Sequence, residues 1–256
     1  MDLDLKEKVV IVTGGSSGIG SAIYLGLRSE GAKPIIFDRT PPDEKVTIQS
    51  KSHPLSFIKT ELNNVEACGE ALSRVVSVYG KIDGLVNNAG FNDGVGLEKA
   101  PEAFRQSLEN NLIHYFTMTH LAAPHLKKTS GAIVNISSKT AVTGQGNSSG
   151  YCAAKGAQLS LTREWAIALL KDGVRVNAIV PAEVATPMYE KWIETFDHPQ
   201  KKWDEIVNKI PLGNRMTRSD EIANMCVFLL SPASSHTTGQ WIFVDGGYTH
   251  LDRALL

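Results

Sequence analysis

The chain lacks most of what marks a membrane, secreted or nucleic-acid-binding protein. No apolar run approaches the roughly 18 residues that cross a bilayer, and the acidic start Met1-Asp-Leu-Asp does not read as a signal peptide. Formal net charge is -1, so no basic field draws nucleic acid or an anionic membrane. Cysteine is scarce. Cys68, Cys152 and Cys226 show neither metal-ligand spacing nor a disulfide pattern, which fits a reduced, cytoplasmic protein, and Cys152 reads as a small packed residue. His114, His120 and His125 do not recur on one helical face, which argues against a metal site. Repeats, low-complexity tracts and an inter-domain linker are also missing.

What is present is apolar and periodic. With 42% hydrophobic residues, the 256-residue chain has material for one substantial core, and residues 1–256 read as a single domain. Short apolar runs predict strands at Val9–Val12, Pro34–Asp38, Leu55–Lys59, Gly84–Asn87, Ala132–Ser137, Val174–Val180 and Trp241–Val244. Helical spacing predicts helices over Ser21–Arg28, Val65–Tyr79, Ala103–Lys127 and Ser149–Leu170. Alternation of this kind implies an α/β fold: a Rossmann-type doubly wound parallel sheet of about seven strands with helices on both faces. The segment Thr186–Pro211, richer in aromatics and prolines, breaks that rhythm.

Two motifs carry chemistry. Lys8-Val-Val-Ile-Val-Thr-Gly-Gly-Ser-Ser-Gly-Ile-Gly20 places glycines between a buried strand and a helix start, where backbone N–H groups and the helix dipole receive phosphates. The glycine spacing is neither the GxGxxG of larger dehydrogenases nor a Walker loop. Asp38 ends the next strand; a carboxylate there accepts from adenosine ribose hydroxyls and repels a 2′-phosphate, favouring NAD over NADP. Arg39 pulls the other way, since a guanidinium pairs with a 2′-phosphate. The second motif is Tyr151-Cys-Ala-Ala-Lys155. Positions i and i+4 share a helix face, and an ammonium beside a phenol lowers a pKa that is otherwise about 10. The pair reads as a tuned proton-transfer device.

These motifs together resemble the short-chain dehydrogenases/reductases over nearly the whole chain. Thr13-Gly-Gly-Ser-Ser-Gly-Ile-Gly20 matches TGxxxGxG, Asn87-Asn-Ala-Gly90 matches NNAG, and Ser138, Tyr151 and Lys155 fall at the catalytic spacing. Asn111, Val174-Arg-Val-Asn-Ala-Ile-Val-Pro181 and Asp245-Gly-Gly247 extend the match, although Ala182 replaces the glycine that usually follows the proline. The resemblance implies Tyr151 as the base, Ser138 on the substrate oxygen, Lys155 on the nicotinamide ribose, and Asn111 ordering a relay water, with Ser137 a neighbour of the catalyst. It implies cofactor contacts from Gly14, Ser17, Gly18, Ile19 and Gly20, and from Asp38, Arg39 and Leu62. Further contacts come from Asn88, Ala89 and Gly90, from Tyr151 and Lys155, and from Pro181, Val184 and Thr186. Residues 186–211 stand where relatives carry a substrate lid, and relatives assemble as homotetramers.

Around the reacting carbon the reading places Asn92, Asp93, Ser138, Lys139, Gln145, Asn147, Tyr151 and Glu183, with Tyr189 and Trp192 on the lid. Many hydrogen-bonding groups and few aromatic faces suit a polyhydroxylated ligand. Asn110-Asn-Leu-Ile-His-Tyr115, Ser137–Asn147, Pro181-Ala-Glu-Val184 and the tail from Gly247 are similar to the bacterial L-fucose dehydrogenases of this family. That similarity implies oxidation of the anomeric hydroxyl of L-fucose, or of a like pyranose, to a lactone. The same catalytic set also serves 3-oxoacyl and hydroxysteroid reductases, and a silent dinucleotide-binding redox sensor is the rival of another class. The tail His250–Leu256 is a candidate contact to a neighbouring subunit.

Overall fold

The computed structural model describes residues 2–44, 46–47 and 55–251. Seven parallel strands form one sheet in the order β3-β2-β1-β4-β5-β6-β9. Here β1 is Val9–Thr13, β2 Lys33–Asp38, β3 Phe57–Lys59, β4 Gly84–Asn87, β5 Ala132–Ile136, β6 Arg175–Pro181 and β9 Trp241–Val244. The expected α/β doubly wound sheet is therefore present, and each predicted strand has a counterpart within a residue or two. The remaining strands, β7 (Val184–Ala185) and β8 (Thr217–Arg218), make a small separate ladder.

Successive side chains of a strand point to opposite faces, so a sheet covered on both faces needs apolar residues at every position. β1 supplies them. Val9 and Ile11 pack on one side with Cys68, Leu72, Val75, Met118 and Trp165. Val10 and Val12 pack on the other with Ile23, Leu27, Ile222, Cys226 and Leu230. The first layer comes from α2 (Val65–Tyr79), α4 (His114–Thr129) and α5 (Ser149–Ala168); the second comes from α1 (Gly18–Ser29) and α8 (Ser219–Leu230). Both buried cysteines are core packing residues, and burial pushes the Cys68 thiol up to about 11.

One helical expectation needs correction. The predicted continuous helix over 103–127 is α3 (Pro101–Leu108), then a π turn at Glu109–Ile113, then α4. Helix spacing cannot register one inserted residue, and such turns recur at functional sites. This one carries Asn111. The segment 186–211 holds two short helices, α6 (Pro187–Ile193) and α7 (Pro199–Val207). Among the described residues no helix is long and apolar enough to cross a membrane.

Candidate active site

In the sheet order the chain runs outward from β1 through β2 and β3, then returns to β4 on the other side of β1. Open α/β sheets hold ligands in the crevice beyond the carboxyl ends of the strands at such a switch point. A cleft of about 480 Å³ lies here, bordered by the turns that follow β1, β2, β4, β5 and β6.

At one end the wall is backbone. Ser17 is the N-cap of α1, makes no side-chain capping bond, and the first turn holds no acid. The N–H groups of that turn are left without a cap, an arrangement that receives an anion. The glycines are dictated by proximity. A Cβ on Gly20 would run into the Gly14 carbonyl oxygen, and one on Gly14, at φ +63°, would stand 2.8 Å from the Ala89 Cα. Asn88 ties the turns together: its Nδ2 donates to the carbonyls of Thr13 and Gly14, each at 3.0 Å. Beyond β2, Asp38 accepts from Ser16 N at 3.2 Å and from the N and Oγ1 of Thr40, each at 3.1 Å. Arg39 is exposed beside it and makes no ion pair among the described residues. An anion seat, a carboxylate at the end of β2 and a slot cleared of side chains fit an adenine dinucleotide. Every residue expected at the cofactor, from Gly14 and Ser17 to Leu62, Pro181, Val184 and Thr186, lines this cleft.

At the middle stand Ser138, Tyr151 and Lys155, all lining the cleft. Ser138 follows β5; its Oγ accepts from Thr140 N at 3.3 Å and hydrogen-bonds the Tyr151 phenol. Ser137 faces inward, donating to the Lys155 carbonyl at 2.9 Å, so it is the structural serine of the two. Lys155 Nζ donates to Ile136 O at 2.8 Å and to Tyr115 Oη at 3.3 Å, and lies 5.4 Å from the Tyr151 ring centre. The expected lowering of the tyrosine pKa does not appear in the open cleft. Burial pushes the Tyr151 phenol up to about 12, against the Ser138 hydrogen bond, while burial brings the Lys155 ammonium down to about 7. Both groups are desolvated together, and desolvation disfavours the charged form of each.

Asn111 lies beneath the cleft rather than in its wall. Its Oδ1 accepts from Phe91 N at 2.8 Å, its Nδ2 donates to Ser107 O at 3.1 Å, and its backbone carbonyl accepts from Gln158 Nε2 at 2.7 Å. Each of the two Asn111 oxygens accepts one of these bonds and keeps a second lone pair, so they leave the expected relay water a place.

At the far end the wall is side chain. Lys139 and Glu183 form an ion pair that is 9% and 15% exposed. The Tyr248 ring lies 4.0 Å from the Lys139 ammonium, and Tyr189 hydrogen-bonds Glu183. Asn92 and Gln145 join this wall. Three expected substrate residues do not line the cleft. Asp93 accepts from Ser107 Oγ at 2.9 Å, Asn147 is an exposed loop residue at φ +47°, and Trp192 packs edge-on between Tyr189 and Phe196. Sequence reasoning missed Tyr248, Thr40, Tyr115 and His114. His114, Tyr115 and Tyr248 stand within the stretches matched to the L-fucose dehydrogenases without being singled out there, while Thr40 carried no signal. Of the tail, residues 252–256 lie outside the described residues, while the His250 ring packs edge-on against Phe243 at 4.3 Å.

Fold and cleft define a nucleotide-dependent dehydrogenase. A family model described as enoyl-(acyl carrier protein) reductase matches residues 14–249. L-fucose dehydrogenase of Mus musculus is 37% identical over 94% of this chain and 88% of its own. The 3-oxoacyl-[acyl-carrier-protein] reductase of Thermotoga maritima is 34% identical over 95% and 98%. The crystal structure of Cj0485 dehydrogenase superposes with TM-score 0.97 at 49% identity, covering 100% of this chain and 99% of that one. The chain belongs to the short-chain dehydrogenases/reductases, NAD(P)-dependent oxidoreductases acting on CH–OH groups.

Proposed function

We propose that this chain oxidises the anomeric hydroxyl of L-fucose, or of a pyranose of similar stereochemistry, to the lactone, with NAD as acceptor. Its relatives divide between sugar and acyl-carrier substrates at similar identity, so the cleft has to decide. The observation that carries the reading is the state of Lys139. An acyl-carrier reductase profits from free cations that meet an acidic carrier, whereas Lys139, next to Ser138, is neutralised by Glu183. A neutral polyol gains from the same pair a donor and an acceptor side by side. The adjoining Asn92, Gln145 and Tyr189 add further hydrogen-bonding groups where a steroid would need aliphatic surface.

Held by the glycine turn, Asn88–Gly90 and Lys155, a bound nicotinamide would supply the hydride acceptor and a positive charge. Tyr151 takes the proton of the substrate hydroxyl, and Ser138 hydrogen-bonds the same oxygen as charge shifts onto it. Lys155 holds a positive charge behind the phenol and stabilises its anion. Asp38 favours NAD by meeting the ribose hydroxyls and repelling a 2′-phosphate. The segment 186–211 acts as a lid over a single catalytic domain, since its root Thr186 borders the cofactor end and Tyr189 the substrate end. Exposed Phe116, Ile113 and Ile167 on the helical layer support assembly as a homotetramer. Unpaired cysteines accord with a cytoplasmic setting.

An initial-rate screen of L-fucose and its epimers, each with NAD⁺ and NADP⁺, tests the reading. Faster turnover of acyl thioesters or steroids than of any sugar overturns it. Tyr151→Phe lowers kcat by about 10³-fold or more while NAD binding, followed by fluorescence titration, stays within about twofold.

A further inference from the structure

Lys155 poses a problem of charge. Its ammonium is buried, at 3% exposure, and among the described residues no carboxylate pairs with it. The titratable groups facing it are Tyr151 on its own helix and Tyr115 and His114 on α4; burial holds His114 down to about 4, so that ring is neutral. A buried ammonium without a counter-ion persists only through neutral acceptors. Two are at hand, the Ile136 carbonyl at 2.8 Å and the Tyr115 hydroxyl at 3.3 Å.

Tyr115 suits that task. Its side chain is fully buried, and its hydroxyl donates to Ile136 O at 3.0 Å, which turns an oxygen lone pair toward Lys155. The two helices are pinned twice along one line: Gln158 Nε2 donates to the Asn111 carbonyl at 2.7 Å, and Lys155 Nζ reaches Tyr115 four residues on from Asn111. With two of the three ammonium protons fixed, one donor is left to serve the cleft. The Gly90 turn marks where it faces, since a Cβ there would come within 3.8 Å of Lys155 Nζ.

We propose that Tyr115 is the positioning residue of the proton-transfer pair: its hydroxyl keeps the Lys155 ammonium charged and turned toward Tyr151 and the cofactor slot. The inference rests on the reading of Tyr151 and Lys155 as that pair.

The test compares Tyr115→Phe, Tyr115→Met and Tyr151→Phe with the parent in full-length protein, reading kcat against pH, the NAD dissociation constant and the melting temperature. Phe keeps the ring and loses the acceptor, and Met offers a second apolar filling should the Phe variant not fold. Loss of a hydrogen bond to a charged group lowers kcat about tenfold, with NAD affinity within about twofold. Removing an acceptor disfavours the ammonium, so the alkaline limb of kcat moves to lower pH by about one unit. A variant that melts earlier but keeps the parental kcat and pH limb overturns the inference, because packing alone accounts for it. Full turnover in Tyr151→Phe instead brings down the proton-transfer reading. A dead Tyr151→Phe beside an unaltered Tyr115→Phe sinks only the positioning role.

Discussion

The two ends of the cleft are built by different means. The cofactor end is backbone, fixed by four glycines within seven positions and by Asn88 fastening two turns together. The substrate end is side chain, gathered from the turns after β5 and β6, from the segment 186–211 and from the turn after β9: Lys139, Glu183, Tyr189 and Tyr248. Backbone cradles tolerate no added atom yet are indifferent to most neighbours. A side-chain wall survives substitution as a fold but changes what it recognises. One end is therefore fixed in kind by geometry, and the other is where relatives with the same chemistry can differ in substrate.

Substitutions at each end separate the two modes. The largest effect belongs to Gly20→Ala. Its methyl meets the Gly14 carbonyl oxygen and the Asn88 side chain, so the glycine turn must open. NAD affinity, measured by fluorescence titration, drops by about 10²-fold or more, the scale of several kcal/mol for forcing backbone apart. Near-parental affinity would show that the turn yields, and that the comparison overstates backbone rigidity. Next comes Glu183→Ala, which leaves Lys139 nearly buried and unpaired. A fully buried broken pair costs more than an exposed one, and this one lies between, so stability falls by about 2 kcal/mol. Sugar kcat/KM falls by about 10²-fold through KM, with NAD affinity untouched. If NAD affinity fell as far as sugar kcat/KM, the two ends would not be independent.

The same contrast explains what the sequence made legible. The strands could be read because a sheet buried on both faces needs unbroken apolar runs, as Val9–Thr13 shows. The glycine turn could be read because spacing alone encodes it. At the substrate end, residue type was a guide only in part. Lys139 and Glu183 were found, but their pairing, which turns two charges into one neutral surface, is a tertiary fact. Asp93, Asn147 and Trp192 have the right chemistry, yet Ser107, a left-handed loop backbone and neighbouring rings hold them elsewhere. The π turn at Asn111 adds one residue to an otherwise regular helix pattern, and nothing in apolar periodicity registers it. Nor does the Tyr151-Lys155 spacing report desolvation, which is why the phenol lies high rather than low in the open cleft.

The smallest effect falls at Asp38, a side chain working at the backbone end. Its two oxygens are already aimed: Oδ1 accepts twice from Thr40, each at 3.1 Å, while Oδ2 accepts once from Ser16 N at 3.2 Å and keeps a lone pair for a ribose hydroxyl. Asp38→Ala removes two acceptors and the negative charge that opposes a 2′-phosphate, and leaves exposed Arg39 as the local charge. NAD then loses one hydrogen bond to a charged group, about tenfold in KM, while NADP gains by relief of repulsion and by Arg39. The ratio of NAD to NADP kcat/KM should fall by more than either constant moves alone, with sugar KM steady. Should the ratio stay where it was while both cofactors weaken alike, Asp38 serves only to hold the Ser16–Thr40 turn. Cofactor choice would then belong to the backbone, like the rest of that end.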